Sequence, residues 1–264
     1  MTQAPTGRPR LVATDLDGTL LRSDGSLSER TTTAIAEAER AGIDVVFVTA
    51  RPPRWLHDLA DAVGGHGVAL CANGAFVLDV GRREVVESWP FDAAQLADVT
   101  TDLRAAVPGI AFAVECADGM RREEDFVDHY ADEHEPGSVD GALAGKLLAR
   151  APHLPDEEFL QRVERAVQGR AELGFSGAVG LAELTPKDVT KASGLARWCA
   201  GRGIDQADVW ACGDMPNDLP MLRWAGRSFA VANAHDSVLA EADERLGSND
   251  DDAVADLLES LVTV

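Results

Sequence analysis

The chain has 264 residues, 45% hydrophobic and 26% charged, the balance of an ordinary soluble globular protein and of neither a disordered nor a fibrous one. With 24 Lys and Arg against 45 Asp and Glu, the formal net charge of −21 sets the surface against polyanions, so no nucleic-acid partner and no anionic bilayer is expected. No run approaches the roughly 20 apolar residues that span a bilayer, no apolar signal-peptide core follows Met1, and Cys71, Cys116, Cys199 and Cys212 form no CxxC pair; reduced thiols and a cytoplasmic protein are expected.

Taken in chain order, Arg10–Thr14 is a short apolar run followed by a glycine-marked loop. Ser28-Glu29-Arg30-Thr31 then opens an Ala/Glu-rich helix that stops at Gly42, serine being a good cap and glycine a good terminator. Ile43–Val48 is a β-branched strand, a helix is expected around Arg54–Val63, and Val68–Ala72 is a third strand ending at Asn73-Gly74. Strands alternating with helices predict a parallel sheet with crossover helices.

The pattern changes near Gly81. Helices expected at about Asp92–Ala106 and Asp156–Val167 mix with short strands at Ile110–Glu115, Gly145–Arg150 and Ala178–Leu184. After Pro186 the first pattern returns: helix Ala192–Arg202, strand Asp208–Cys212, helix around Pro216–Ala225, strand Ser228–Val231 and a closing helix from Ala253, with Asn249–Asp252 as its charged start. The economical reading is an α/β core, residues 1–82 and 185–264, with a Rossmann-like parallel sheet, interrupted by a smaller inserted α+β domain at 83–184.

In open parallel sheets, ligands bind beyond the carboxyl ends of the strands. Asp15 and Asp17 follow the first strand, Thr49 and Arg51 the second, Asn73 the third, and Asp214, Asn217 and Asp218 the strand near residue 210. Several carboxylates on one rim repel each other, and a divalent cation relieves this; hard oxygen ligands without His or Cys point to Mg²⁺. One carboxylate can then attack a phosphoryl group while a second moves the proton. A hydroxyl (Thr49) and a lysine (Lys187 or Lys191) are available for the charge on phosphorus.

Asp15-Leu16-Asp17-Gly18-Thr19-Leu20, Thr49, Lys191 and Gly213-Asp214-Met215-Pro216-Asn217-Asp218 together resemble the four signatures of the haloacid dehalogenase superfamily of phosphohydrolases. The placement of the insertion resembles the Cof-type branch with an α/β cap, as do Val48–Pro52, the Asn73-Gly74 turn, Glu183-Leu184-Thr185-Pro186 and Val231–Ala234. The resemblance implies Asp15 as nucleophile, Asp17 as general acid/base, Thr49 and Lys191 on the phosphoryl oxygens, and Mg²⁺ on Asp15, the Asp17 carbonyl and Asp214, with Asp218 beside the metal or the lysine. It prefers Lys191 to Lys187 by its spacing from Glu183. Arg51, Asn73, Gly74 and Asn217 would meet the substrate. The family usually has glycine at the positions of Asp188, Ala192 and Ala253. The implied function is Mg²⁺-dependent hydrolysis of a small phosphorylated metabolite, a sugar phosphate first, through an aspartyl-phosphate. A sugar phosphomutase or phosphotransferase, or a non-catalytic metabolite-binding regulator, are the alternatives. Nothing in the sequence selects between a monomer and a weak dimer.

Other signals carry less. In Asp128–Glu135, His129 and His134 are five apart and would not share a helix face, so a solvated cap loop is expected there. His57, His66 and His153 are expected to be structural or exposed, while Arg54, Arg121 and Arg122 could contact an anionic substrate. The P-loop GxxxxGK[ST] and a GxGxxG after the first strand are absent. A metal-dependent glycosyltransferase would not require Gly-Thr after the acidic pair or the distant lysine.

Overall fold

The computed structural model describes residues 7–56, 67–127, 137–174 and 179–263. His57, His66, the rest of the helix expected to Val63, the cluster at Asp128–Glu135 and the start of the strand expected from Ala178 lie outside them.

Two sheets organise the chain. The larger runs in the order β13-β12-β11-β1-β2-β3-β4-β5. Its centre is parallel: β1 (Leu11–Thr14) lies between β2 (Asp44–Val48) and β11 (Val209–Gly213), with β3 (Val68–Cys71) beyond β2 and β12 (Arg227–Ala230) and β13 (Glu244–Arg245) beyond β11. Alternation divides the strand residues between two cores. Val12, Val45 and Phe47 pack with Ile35 and Ala38 of α1 (Glu29–Arg40) and Leu258 and Leu261 of α6 (Ala253–Val262). Leu11, Ala13, Val46 and Val48 pack with Leu195 and Trp198 of α4 (Lys191–Ala200) and Met221 and Leu222 of α5 (Leu219–Trp224). Ser28 caps α1 by accepting from the Thr31 amide, 3.0 Å.

Two strands that the sequence did not disclose, β4 (Phe76–Asp79) and β5 (Glu84–Ser88), extend this sheet antiparallel from β3. β5 therefore carries the larger sheet past the limit expected at residue 82. Its residues are mostly exposed, so it lacks the apolar run that marks a core strand.

The second sheet, β7-β6-β8-β10-β9, is antiparallel throughout. Its strands are β6 (Ala111–Cys116), β7 (Gly119–Arg122), β8 (Lys146–Arg150), β9 (Ala171–Gly174) and β10 (Ala182–Pro186). α2 (Ala93–Ala106) and α3 (Asp156–Val167) cover one face, where Phe112, Val114, Leu147, Ala149 and Leu184 are buried. Alternation turns Glu115, Lys146 and Glu183 to the opposite face, beside the small apolar group Ala111, Ala113, Met120, Phe126 and Leu148. That face meets the larger sheet's loops, where Lys146 reaches the Ala50 carbonyl; just before β8 a Cβ on Gly145 would fall 2.3 Å from the Phe76 ring, so only glycine permits the approach there. All four cysteines are buried and free, and among the described residues no helix is long and apolar enough to cross a membrane.

Candidate active site

β1 is the switch point of the larger sheet: the chain leaves it for β2 on one side and returns on the other as β11, which opens a crevice beyond its carboxyl end. Asp15 sits there, its amide bonded to the Cys212 carbonyl at 3.0 Å. Gly18, at φ +76°, turns the chain back over the rim; a Cβ there would lie 2.5 Å from Asp214 Oδ2, so the loop backbone rests against the carboxylate that ends β11. Thr19 donates its hydroxyl to Asp214 Oδ1, 2.8 Å.

The lysine arrives from the other end of the chain. α4 begins with a capping box, Thr190 Oγ1 accepting from the Ser193 amide and Ser193 Oγ from the Thr190 amide, and Lys191 is its first residue. A cation there opposes the helix dipole; it is tolerated because the side chain, 1% exposed, bonds Asp15 Oδ1 at 2.6 Å and Asp218 Oδ1 at 2.7 Å. Asp218 Oδ2 accepts from the amides of Asp214 and Met215, each 3.0 Å. Both Asp218 oxygens are thus engaged, so Asp218 fixes the lysine and the Asp214 loop. Lys187, the rival, is exposed.

Oxygens of Asp15, Asp214 and Asp218 lie within 4.8 Å of one another. Burial lifts the Asp15 carboxyl well above its usual range; Lys191 opposes this, and the charges of Asp218 and Asp214 add to it. Burial and the Asp218 charge likewise push Asp214 up to about 6, against the Thr19 hydrogen bond. For Lys191 burial acts downward, but Asp15 and Asp218 outweigh it and its pKa is raised, so it stays an ammonium. Three buried carboxylates share one cation, and this surplus of negative charge on hard oxygens fits a divalent metal ion.

The remaining expected residues are placed around this cluster. Thr49 is fully buried beyond β2, its hydroxyl accepting from the Arg51 amide. Asn73, at φ +56°, accepts on Oδ1 from Asn217 Nδ2 at 3.4 Å. Asp17 and Arg51 form a bidentate pair, Nε–Oδ2 2.8 Å and Nη2–Oδ1 2.5 Å, with the Asp17 carboxylate exposed. Gly74, expected at the substrate, is buried against α4, where a Cβ would fall 2.5 Å from the Thr190 carbonyl; it sets the close approach of the lysine's helix. Arg54, also considered for a substrate, grips Glu115 with two hydrogen bonds, 3.0 and 2.8 Å, and Arg121 pairs with Asp118. Of the three departures from glycine, only Asp188 has a left-handed backbone, φ +62°, a conformation Asp tolerates. Thr19, Lys146 and Glu183 were not singled out as functional from sequence, although Thr19 and Glu183 lie within motifs quoted above.

A parallel sheet with carboxylates at its switch point and a buried lysine among them defines a class of site, one able to hold a divalent cation beside a nucleophilic carboxylate. The family model of haloacid dehalogenase-like hydrolases matches residues 12–258. A phosphoglycolate phosphatase of Methanopyrus kandleri is 30% identical over 258 residues, covering 96% of this chain and 97% of that protein. A pyridoxal phosphate phosphatase of Escherichia coli is 27% identical over 271 residues, covering 95% and 98%. The solved structure of a phosphatase of the same superfamily from Bacteroides thetaiotaomicron superposes with a TM-score of 0.81 at 23% identity, covering 100% and 99%. The chain belongs to the haloacid dehalogenase superfamily, as a Cof-type phosphatase, and is a phosphoric monoester hydrolase.

Proposed function

We propose that the protein hydrolyses a small phosphorylated metabolite, a sugar phosphate first among the classes, through an aspartyl-phosphate on Asp15, and that the five-stranded unit is the cap over the site. The observation that carries this is the buried cluster in which Asp15, Asp214 and Asp218 share Lys191. Asp15 Oδ1 is held by the ammonium, which orients the carboxylate and leaves Oδ2 to attack phosphorus. As the Oδ2–P bond forms, the bond from phosphorus to the ester oxygen breaks, and Asp17 delivers its proton to that oxygen. Asp17 then takes a proton from water, the water oxygen attacks phosphorus, and inorganic phosphate leaves with the Asp15 carboxylate restored. Lys191 and the Thr49 hydroxyl stabilise the charge on the phosphoryl oxygens.

Asp17 must exchange Arg51 for the ester oxygen. The pair is partly solvent-exposed, with side chains 28% and 57% accessible, so this exchange costs little. Asp15, the Asp17 carbonyl and Asp214 would hold Mg²⁺, which supplies neutralising charge for the approach of a phosphate dianion to carboxylates. The test is release of inorganic phosphate from p-nitrophenyl phosphate with Mg²⁺. Wild-type protein is expected to turn over and Asp15→Asn to be inert. Equal inertness of both, with a metabolite still bound, would establish a binding protein, and a hexose 1-phosphate converted to its 6-isomer would establish a mutase.

A further inference from the structure

Glu183 and Lys146 form a buried pair on the face of the second sheet that meets the rim. Lys146 Nζ bonds Glu183 Oε1 at 2.6 Å and the Ala50 carbonyl at 2.7 Å, and the side chains are only 2% and 9% exposed. Ala50 stands between Thr49 and Arg51, so one hydrogen bond ties the pair to the backbone that carries the proposed phosphoryl-binding Thr49. On its other side, Glu183 stands opposite Gly174 in the β9–β10 ladder. A Cβ on Gly174 would lie 3.0 Å from Asn73 Nδ2, so the missing side chain brings the Asn73 amide against Glu183's strand.

In this setting Glu183 Oε2 is buried without any hydrogen-bond partner, and so is Asn217 Oδ1, on the residue bonded to Asn73. A buried carboxylate oxygen left unpaired forfeits its hydration without replacement, so such an atom in a folded protein calls for a donor from elsewhere. Both unsatisfied atoms are acceptors. The charge of Glu183 is already matched by Lys146 and that of Glu115 by Arg54, so neither carboxylate calls for a further cation. What Glu183 Oε2 lacks is a hydrogen-bond donor without charge.

We propose that Glu183, oriented by Lys146, is a specificity-determining residue that accepts a hydrogen bond from a hydroxyl of the leaving group, so that the enzyme selects polyol or sugar phosphates over phosphate esters without hydroxyls. This rests on the phosphatase reading above and names the substrate class of the same site. A site built around an unpaired buried acceptor discriminates strongly against an analogue that cannot fill it. A substrate carboxylate would be repelled from Oε2.

The test compares sorbitol 6-phosphate with n-hexyl phosphate, the same chain length without the remaining hydroxyls, and with p-nitrophenyl phosphate. Wild-type protein is expected to favour sorbitol 6-phosphate over n-hexyl phosphate by ~10²-fold or more in kcat/KM. In Glu183→Gln, Lys146 retains an oxygen partner while an amide N–H₂ takes the place of Oε2, turning the acceptor into a donor. The ratio of kcat/KM for sorbitol 6-phosphate to that for p-nitrophenyl phosphate should fall at least about thirtyfold, chiefly through KM. An unchanged ratio in the variant overturns the proposal, and so does a wild-type enzyme indifferent to the hydroxyls, which needs no variant to fold. Failure of the phosphatase reading looks different: wild type would then release phosphate from none of the three esters.

Discussion

The rim of the larger sheet and the facing surface of the smaller one both bury ionised groups, but they balance them differently. At the rim, Asp15, Asp214 and Asp218 share a single lysine. On the opposing face each anion has its own cation, Arg54 with Glu115 and Lys146 with Glu183. Surplus negative charge suits a site that must recruit a divalent ion and then tolerate a phosphate beside it. One-to-one pairing suits a surface that sorts uncharged groups by hydrogen bonding. Changes at the rim should therefore register on every ester and on metal affinity, and changes opposite should register on the choice of ester.

The sharpest way to break this contrast is Asp15→Asn. The amide is a poor nucleophile, and phosphate release should fall by at least ~10⁴ on all esters alike; a rate within tenfold of wild type would remove Asp15 from the reaction. Asp17→Asn should lose about 10²–10⁴, the usual worth of general acid/base help. Its loss should be smallest for p-nitrophenyl phosphate, whose leaving group barely needs a proton, and a uniform loss would argue for a purely structural Asp17–Arg51 pair.

The metal sharpens the comparison through pH. Burial raises Asp214 to about 6, so in metal-free protein its contribution to stability is complete below its ordinary value of 3.8 and is lost as pH rises through about 6. On the proposed reading, Mg²⁺ would bind the ionised form and compete with that proton. Thermal unfolding with and without Mg²⁺ should show a larger metal-induced gain at pH 7.5 than at pH 5; equal gains would place the ion away from Asp214. The smallest effect on turnover is expected from Gly145→Ala. Crowding against the Phe76 ring should lower stability by ~1–3 kcal/mol in denaturant unfolding, and an unchanged midpoint would mean that the two sheets do not meet tightly there.

Most of the rim was legible because its residues follow strands directly, where backbone direction alone decides which way a loop opens. Asp15, Thr49, Asn73 and Asp214 needed only the parallel order of β1, β2, β3 and β11. What was hidden depended on partners distant in sequence. The 34 residues separating Asp17 from Arg51 give no hint of a bidentate pair, and Lys146 and Glu183 lie 37 apart on strands whose alternation looks ordinary. β5 was missed because Glu84-Val85-Val86-Glu87-Ser88 buries little and owes its strand form to pairing with β4. The packing of Gly74 was hidden for a related reason: it is an approach of one backbone to another, which no residue pattern encodes.

The bond from Lys146 to the Ala50 carbonyl has an evolutionary corollary. Its acceptor belongs to the main chain, which every amino acid carries, so no exchange at position 50 deletes it. A homologue with another residue at position 50 would keep this link between the two sheets, whereas one without the lysine would lose it.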